Sequence, residues 1–129
     1  MDADRMRDYC LAKPGAWPDW PWGGGPDADP DDSSGHEHPV IKVGDKIFAF
    51  LGTGGVGVKS GASRDVADEW LQRYPDDASV MAYIGRSGWN DLAFAGAIPD
   101  DELTEAVDES YRLVVSKLPK KHRPEGWDA

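Results

Sequence analysis

A single cysteine, Cys10, rules out any internal disulfide and suits a reducing compartment. No histidine lies near it in the sequence, so it reads as a buried structural thiol rather than a reactive one. Histidine is scarce as well. His36 and His38 fall in a Gly/Pro/Asp-rich stretch and His122 near the C-terminus. A nucleophile needs an oriented base beside it, and neither stretch offers a rigid scaffold for one. The paired carboxylates Asp76-Asp77 and Asp100-Asp101 read as turn and helix-start residues. The expectation is a protein that is not an enzyme. No apolar run reaches the ~18 residues of a membrane span, and MDADRMRDYC lacks an apolar signal core. A cytoplasmic chain with no membrane partner is therefore expected.

Positive charge is also in short supply. Fourteen Lys and Arg face 24 Asp and Glu, a net charge of −10. Residues 1–39 hold nine acids against three bases, residues 40–99 seven against six, and residues 100–129 eight against five. The excess sits in the first third, and the middle is close to neutral. Phosphate neutralisation needs clustered Lys and Arg, so the balance argues against a generic DNA binder while leaving room for a local basic face. Thr53-Gly54-Gly55-Val56-Gly57 lacks the Gly-Lys-Ser/Thr ending of a phosphate loop and reads as a hairpin turn. No cofactor is expected.

What is present suffices for one domain: 129 residues, 40% of them apolar. The clearest helix follows Pro99. Asp100, Asp101 and Glu102 suit the positive end of its dipole. Leu103, Ala106, Val107, Ser110, Tyr111, Val114 and Leu118 then form an i, i+3, i+4 stripe that Pro119 ends. Leu113 and Val115 fall off the stripe, as a second flank for a neighbour or partner. Shorter helices are predicted over Asp4–Lys13 and Ser63–Tyr74. Strands are predicted over Val40–Val43, Lys46–Leu51, Gly55–Lys59, Val80–Ile84 and Trp89–Phe94. The run Ile47 to Leu51, apolar on both faces, marks a central strand. The result is an α+β fold, helices on an antiparallel sheet.

Two stretches stand apart. Trp17, Trp20 and Trp22 read either as a stacking platform or as a wrap around a sheet edge, and the usual burial of aromatics favours the second. Residues 23–39 are rich in Gly, Pro and Asp with no large apolar residue, so a mobile acidic loop is predicted there. His36, Glu37 and His38 beside Asp29, Asp31 and Asp32 match no zinc spacing, and a solvated loop fits them better than a metal site.

The whole pattern resembles the MmcQ/YjbR family of small bacterial proteins. The residues that carry the likeness run from Cys10-Leu11, Pro14-Gly15-Ala16 and Pro21-Trp22-Gly23 to Ile41–Ala49 and Tyr74-Pro75. Trp89-Asn90, Pro99–Leu103, Ser110–Val114 and Lys117–Lys121 complete it. The resemblance implies an α-β3-α-β2-α fold like that of small secretion chaperones, in one domain over 1–129 with a short tail at 120–129. It also implies DNA binding. The 23–39 stretch looks like an insertion into the family pattern.

Two functions follow. One is nucleic-acid binding, with candidate contacts at Lys42, Lys46, Lys59, Arg86, Lys117, Lys120, Lys121 and Arg123, stacking by Trp89 and base-edge contacts by Asn90. Pro119 is expected to carry Lys120–Arg123 beyond the helix dipole. The bland reading is a solvated surface for the cations, core packing for Trp89 and a backbone hydrogen bond for Asn90. The other function is a chaperone-like module binding a protein, a peptide or a second copy of itself. A basic stripe on the surface favours the first, and a large exposed apolar patch the second.

Overall fold

Pairing between β-strands organises the molecule. The structure, a computed structural model, describes residues 1–20 and 38–128. Its order is α1 (Ala3–Leu11), β1 (Ala16–Asp19), β2 (Val40–Val43), β3 (Lys46–Leu51), β4 (Gly55–Lys59), α2 (Arg64–Arg73), β5 (Ala78–Val80), β6 (Trp89–Ala93) and α3 (Asp100–Ser116). All the strands among the described residues pair antiparallel in one six-stranded sheet, ordered β1-β2-β3-β4-β6-β5. The α+β class and the antiparallel sheet are as expected. One strand is additional: Ala16–Asp19 pairs with β2 at the sheet edge, where Pro18 is tolerated. Residues 21–37, which include Trp22 and most of the expected acidic loop, lie outside the described residues.

The second departure concerns the strand expected over Val80–Ile84. It runs instead over Ala78–Val80 and then turns. Tyr83 adopts a left-handed φ of 67°, which ends any extended run. A short 3-10 turn over Gly85–Ser87 follows, and Gly88, with φ 97°, leads into β6. A side chain at Gly88 would meet the Gly61 carbonyl oxygen at 2.4 Å, so only glycine fits this approach.

Directly paired residues share a face of a sheet. Ala49, Val58, Asn90 and Val80 therefore share one, and Phe50, Gly57, Asp91 and Ser79 the other. The helices cover the first. Met6 and Cys10 from α1 and Leu103, Val107, Tyr111 and Val115 from α3 pack there on Ile41, Val43, Val56, Val58 and Leu92. The stripe read on α3 is buried throughout, and Val115 joins it.

A β-bulge decides what the other face presents. As β2 steps from Ile41 to Lys42, its partners on β3 step from Ala49 to Ile47, which leaves Phe48 as the extra residue. Phe48 and Ala49 are both fully buried, and the Phe48 ring meets Tyr111 edge-on at 5.2 Å. Ile47 and Phe50, on either side, stay half-buried. The consecutive apolar residues of β3 thus reflect a bulge as well as a central position.

Candidate functional site

Five elements meet at one end of the sheet and line a groove of about 450 Å³. β3 brings Lys46, Ile47 and Phe50, with Asp45 from the turn before it. β2 brings Lys42, the end of β4 Lys59, and the start of β6 Trp89. Leu113, Val114 and Lys117 come from the last turns of α3, and Ile84 from the turn before β6. The floor is apolar and the rim carries four lysines against one aspartate. Phe50 and Trp89 stand edge to face, centroids 5.5 Å apart and planes at 81°.

The four lysines differ. Lys42 pairs with Asp19 at 2.8 Å and lies 5.2 Å from the centre of the Trp17 ring. Lys59 donates to the Ser87 carbonyl at 2.5 Å. Burial pushes its ammonium below the usual lysine range, and the Lys117 charge adds to this. Lys46 and Lys117 are exposed and make no ion pair among the described residues. The rim therefore holds two unneutralised cations and a third, Lys59, held against its own charge.

Other sequence candidates lie elsewhere. Arg86 is exposed on the 3-10 turn and does not line the groove. Lys120 and Lys121 are exposed on a second 3-10 turn, Lys120–His122. It borders a depression lined by Gly44, Asp45, Leu118, Pro119 and His122, which shares Asp45 with the groove. Asn90 is wholly buried. Its amide donates to the Ala67 carbonyl at 2.9 Å and accepts from Arg64 at 2.5 Å, so it presents nothing to a base edge. Arg123 departs from expectation too. It folds back and donates to the Ser116 and Leu118 carbonyls at 2.9 and 3.0 Å, capping the end of α3. The carbonyls left open at a helix end explain that position without a ligand.

Sequence reasoning missed Ile47, Phe50 and Ile84. Leu113 was marked by falling off the helix stripe, and it does line the groove. Arg64 went unremarked. Besides Asn90 it binds Asp68 at 2.7 Å and the carbonyls of Gly85 and Trp89 at 2.8 and 3.2 Å, which sets where β6 and Trp89 lie. Tyr83 also gave no signal, and its side chain is fully exposed.

Across Phe50 the same sheet face changes sign. A second depression of about 490 Å³ is lined there by Asp76, Asp77, Asp91, Ser79 and the glycines of the β3–β4 turn. Gly57 there makes room for the side chains of its neighbours: a Cβ would meet Met81 Sδ at 2.7 Å and Asp91 Oδ1 at 3.1 Å. Burial raises the Asp91 carboxyl above the usual range.

Cys10 is fully buried, and burial pushes its thiol up to about 12. His38 hydrogen-bonds Thr53 at 3.2 Å. Among the described residues no three metal-ligating side chains converge. His36, Glu37 and the three aspartates weighed with them lie outside the described residues. No described helix is long and apolar enough to cross a membrane.

A family model described as YjbR matches residues 11–113. The chain is 27% identical over 130 residues to the uncharacterized protein YjbR of Escherichia coli strain K12, covering 95% of each chain. The same figures hold for its counterpart in Escherichia coli O157:H7. A crystal structure of the Deinococcus radiodurans protein DR2400, with domain DUF419, superposes with a TM-score of 0.69 at 21% identity, covering 95% of this chain and 85% of that one. That likeness is one of fold.

Proposed function

We propose a function on one premise: this chain belongs to the YjbR family. Membership fixes the fold and leaves the chemistry to the residues. We read the protein as a non-catalytic, cytoplasmic binding protein whose lysine-rimmed groove takes nucleic acid.

One observation carries this reading. Lys42, Lys46, Lys59, Lys117 and Trp89, distant in sequence, converge on one groove. In a chain of net charge −10, such a cluster runs against the background and calls for an anionic partner. Screening confines the background repulsion to about 8 Å at physiological salt. A phosphate at the rim therefore feels the lysines more than the distant acids. Affinity should lie in the non-specific range, about 10⁻⁴ to 10⁻⁶ M.

The test is a salt titration of binding to duplex and single-stranded DNA. Three to four phosphate contacts give a log–log slope of about −2 to −3 on a single strand. Changing Lys46, Lys59 and Lys117 together to Gln should remove most of that slope. No binding at about 50 mM salt, where counterion release favours it most, would rule the reading out.

A protein- or peptide-binding module is the second reading. The apolar groove floor and the fully exposed Tyr83 favour it. An acidic segment with apolar side chains, or a second copy of the chain, would be its partner.

A further inference from the structure

The groove has a second property, which rests on the nucleic-acid reading above and sharpens it. We propose that it selects single strands over duplex, by seating one unpaired base against Phe50 and Trp89 while Lys46, Lys59 and Lys117 hold the neighbouring phosphates.

The geometry of the floor is the first argument. Phe50 and Trp89 meet at 81° and form a corner. A flat ring lying on one of them abuts the other. Ile47, Ile84 and Leu113 complete apolar walls around that corner. A base in a duplex turns its faces to its neighbours in the stack and offers only its edges to a protein. An apolar floor gains nothing from those edges. An unstacked base offers a whole π-face, whatever its identity.

The charges give the second argument, and they also set a direction. Past Phe50 lie Asp76, Asp77 and Asp91, so a polyanion cannot continue across the sheet that way. The favourable exit runs by Lys117 toward the depression beside Lys120 and Lys121, which shares Asp45 with the groove. A site bounded on one side by carboxylates covers a short strand and reads little sequence.

The experiment follows binding by fluorescence anisotropy. The probes are an oligo-dT of about ten nucleotides, within the site sizes of single-strand-binding folds, and a duplex of equal length. Inorganic polyphosphate and poly-Glu serve as competitors. Wild type, Phe50→Ala and Phe50→Leu are compared, since Phe50 is half-buried and the leucine keeps its bulk without the ring. Oligo-dT should bind about tenfold tighter than duplex. Phe50→Ala should weaken it about 5- to 150-fold, the scale of one lost stacking contact, and Phe50→Leu by less. Competition by polyphosphate should not change between variants.

Equal binding of duplex and single strand would overturn the inference and leave the broader reading standing. So would a loss in the Phe50 variants that polyphosphate shares. Poly-Glu competing as well as oligo-dT would overturn it too, pointing to an acidic protein partner. Failure of every nucleic-acid probe would remove the broader reading and this inference together.

Discussion

Ser110 holds the β3 bulge in place: its hydroxyl donates to the Phe48 carbonyl at 2.6 Å. Ser110 Oγ in turn accepts the Lys59 backbone N–H at 2.9 Å, so one buried side chain on α3 joins β3 and β4 beside the groove. Ser110→Ala would take this partner from a buried carbonyl and a part-buried N–H. The cost should be about 1–3 kcal/mol, read from urea denaturation. A change below about 0.5 kcal/mol would mean that the bulge holds without the hydroxyl.

Tyr111, one residue on, is 2% exposed, and its hydroxyl donates to the Pro14 carbonyl at 2.6 Å. Two terms separate cleanly here. Tyr111→Phe removes only the hydrogen bond and should cost about 1 kcal/mol. Tyr111→Ala also removes the ring packed on Phe48 and should cost about 3–5 kcal/mol. Equal losses in the two variants would contradict the packing described.

Alkaline stability follows from Tyr9 and Cys10. Burial, aided by the hydrogen bond to Asp108, raises the Tyr9 hydroxyl from 10.0 to about 12. Burial raises the Cys10 thiol from 9.0 to about 12. Both neutral forms are favoured in the fold, so both folded values lie above the unfolded ones. Their contribution is complete below the unfolded values and is lost as pH rises through the folded ones. Denaturation midpoints should fall steadily above about pH 9, and less steeply in Cys10→Ala and Tyr9→Phe. Identical slopes in the variants and the parent would refute this.

Arg123 and its lysine neighbours should separate by assay. Arg123→Ala loses two hydrogen bonds to the end of α3 and should cost about 1 kcal/mol. Lys120→Ala and Lys121→Ala, both exposed, should stay within about 0.5 kcal/mol of the parent. Chemical denaturation of the three variants decides it. A lysine variant as unstable as the arginine one would show that the tail packs differently.

How legible was this in the sequence? The strands Val40–Val43, Lys46–Leu51 and Gly55–Lys59 occur at the expected bounds, because glycine turns and β-branched runs delimit them. The α3 stripe was readable because one helix face records its own burial. β1 was harder, since Pro18 argues against a strand unless the strand lies at an edge. β5 was misplaced because Val80–Ile84 is rich in strand-forming side chains, and nothing local announces the left-handed Tyr83. The groove was legible only as a scatter of lysines and one tryptophan. Its floor depends on the Phe48 bulge and on which ends of β2, β3, β4 and α3 meet, and periodicity along one element does not carry that. Of the two readings of Asn90, the backbone hydrogen bond is the one present, and its partners, the Ala67 carbonyl and Arg64 on α2, lie too far off in sequence to decide it locally.

The change of sign across Phe50 also gives this sheet face an electric dipole, lysines at one pole and aspartates at the other. Far from a charged surface the molecule behaves as a net anion. Within a screening length the two poles experience opposite forces, and a torque turns the lysine pole toward negative charge. Toward any negatively charged surface, orientation is thus set before contact, with the aromatic corner between the poles facing it.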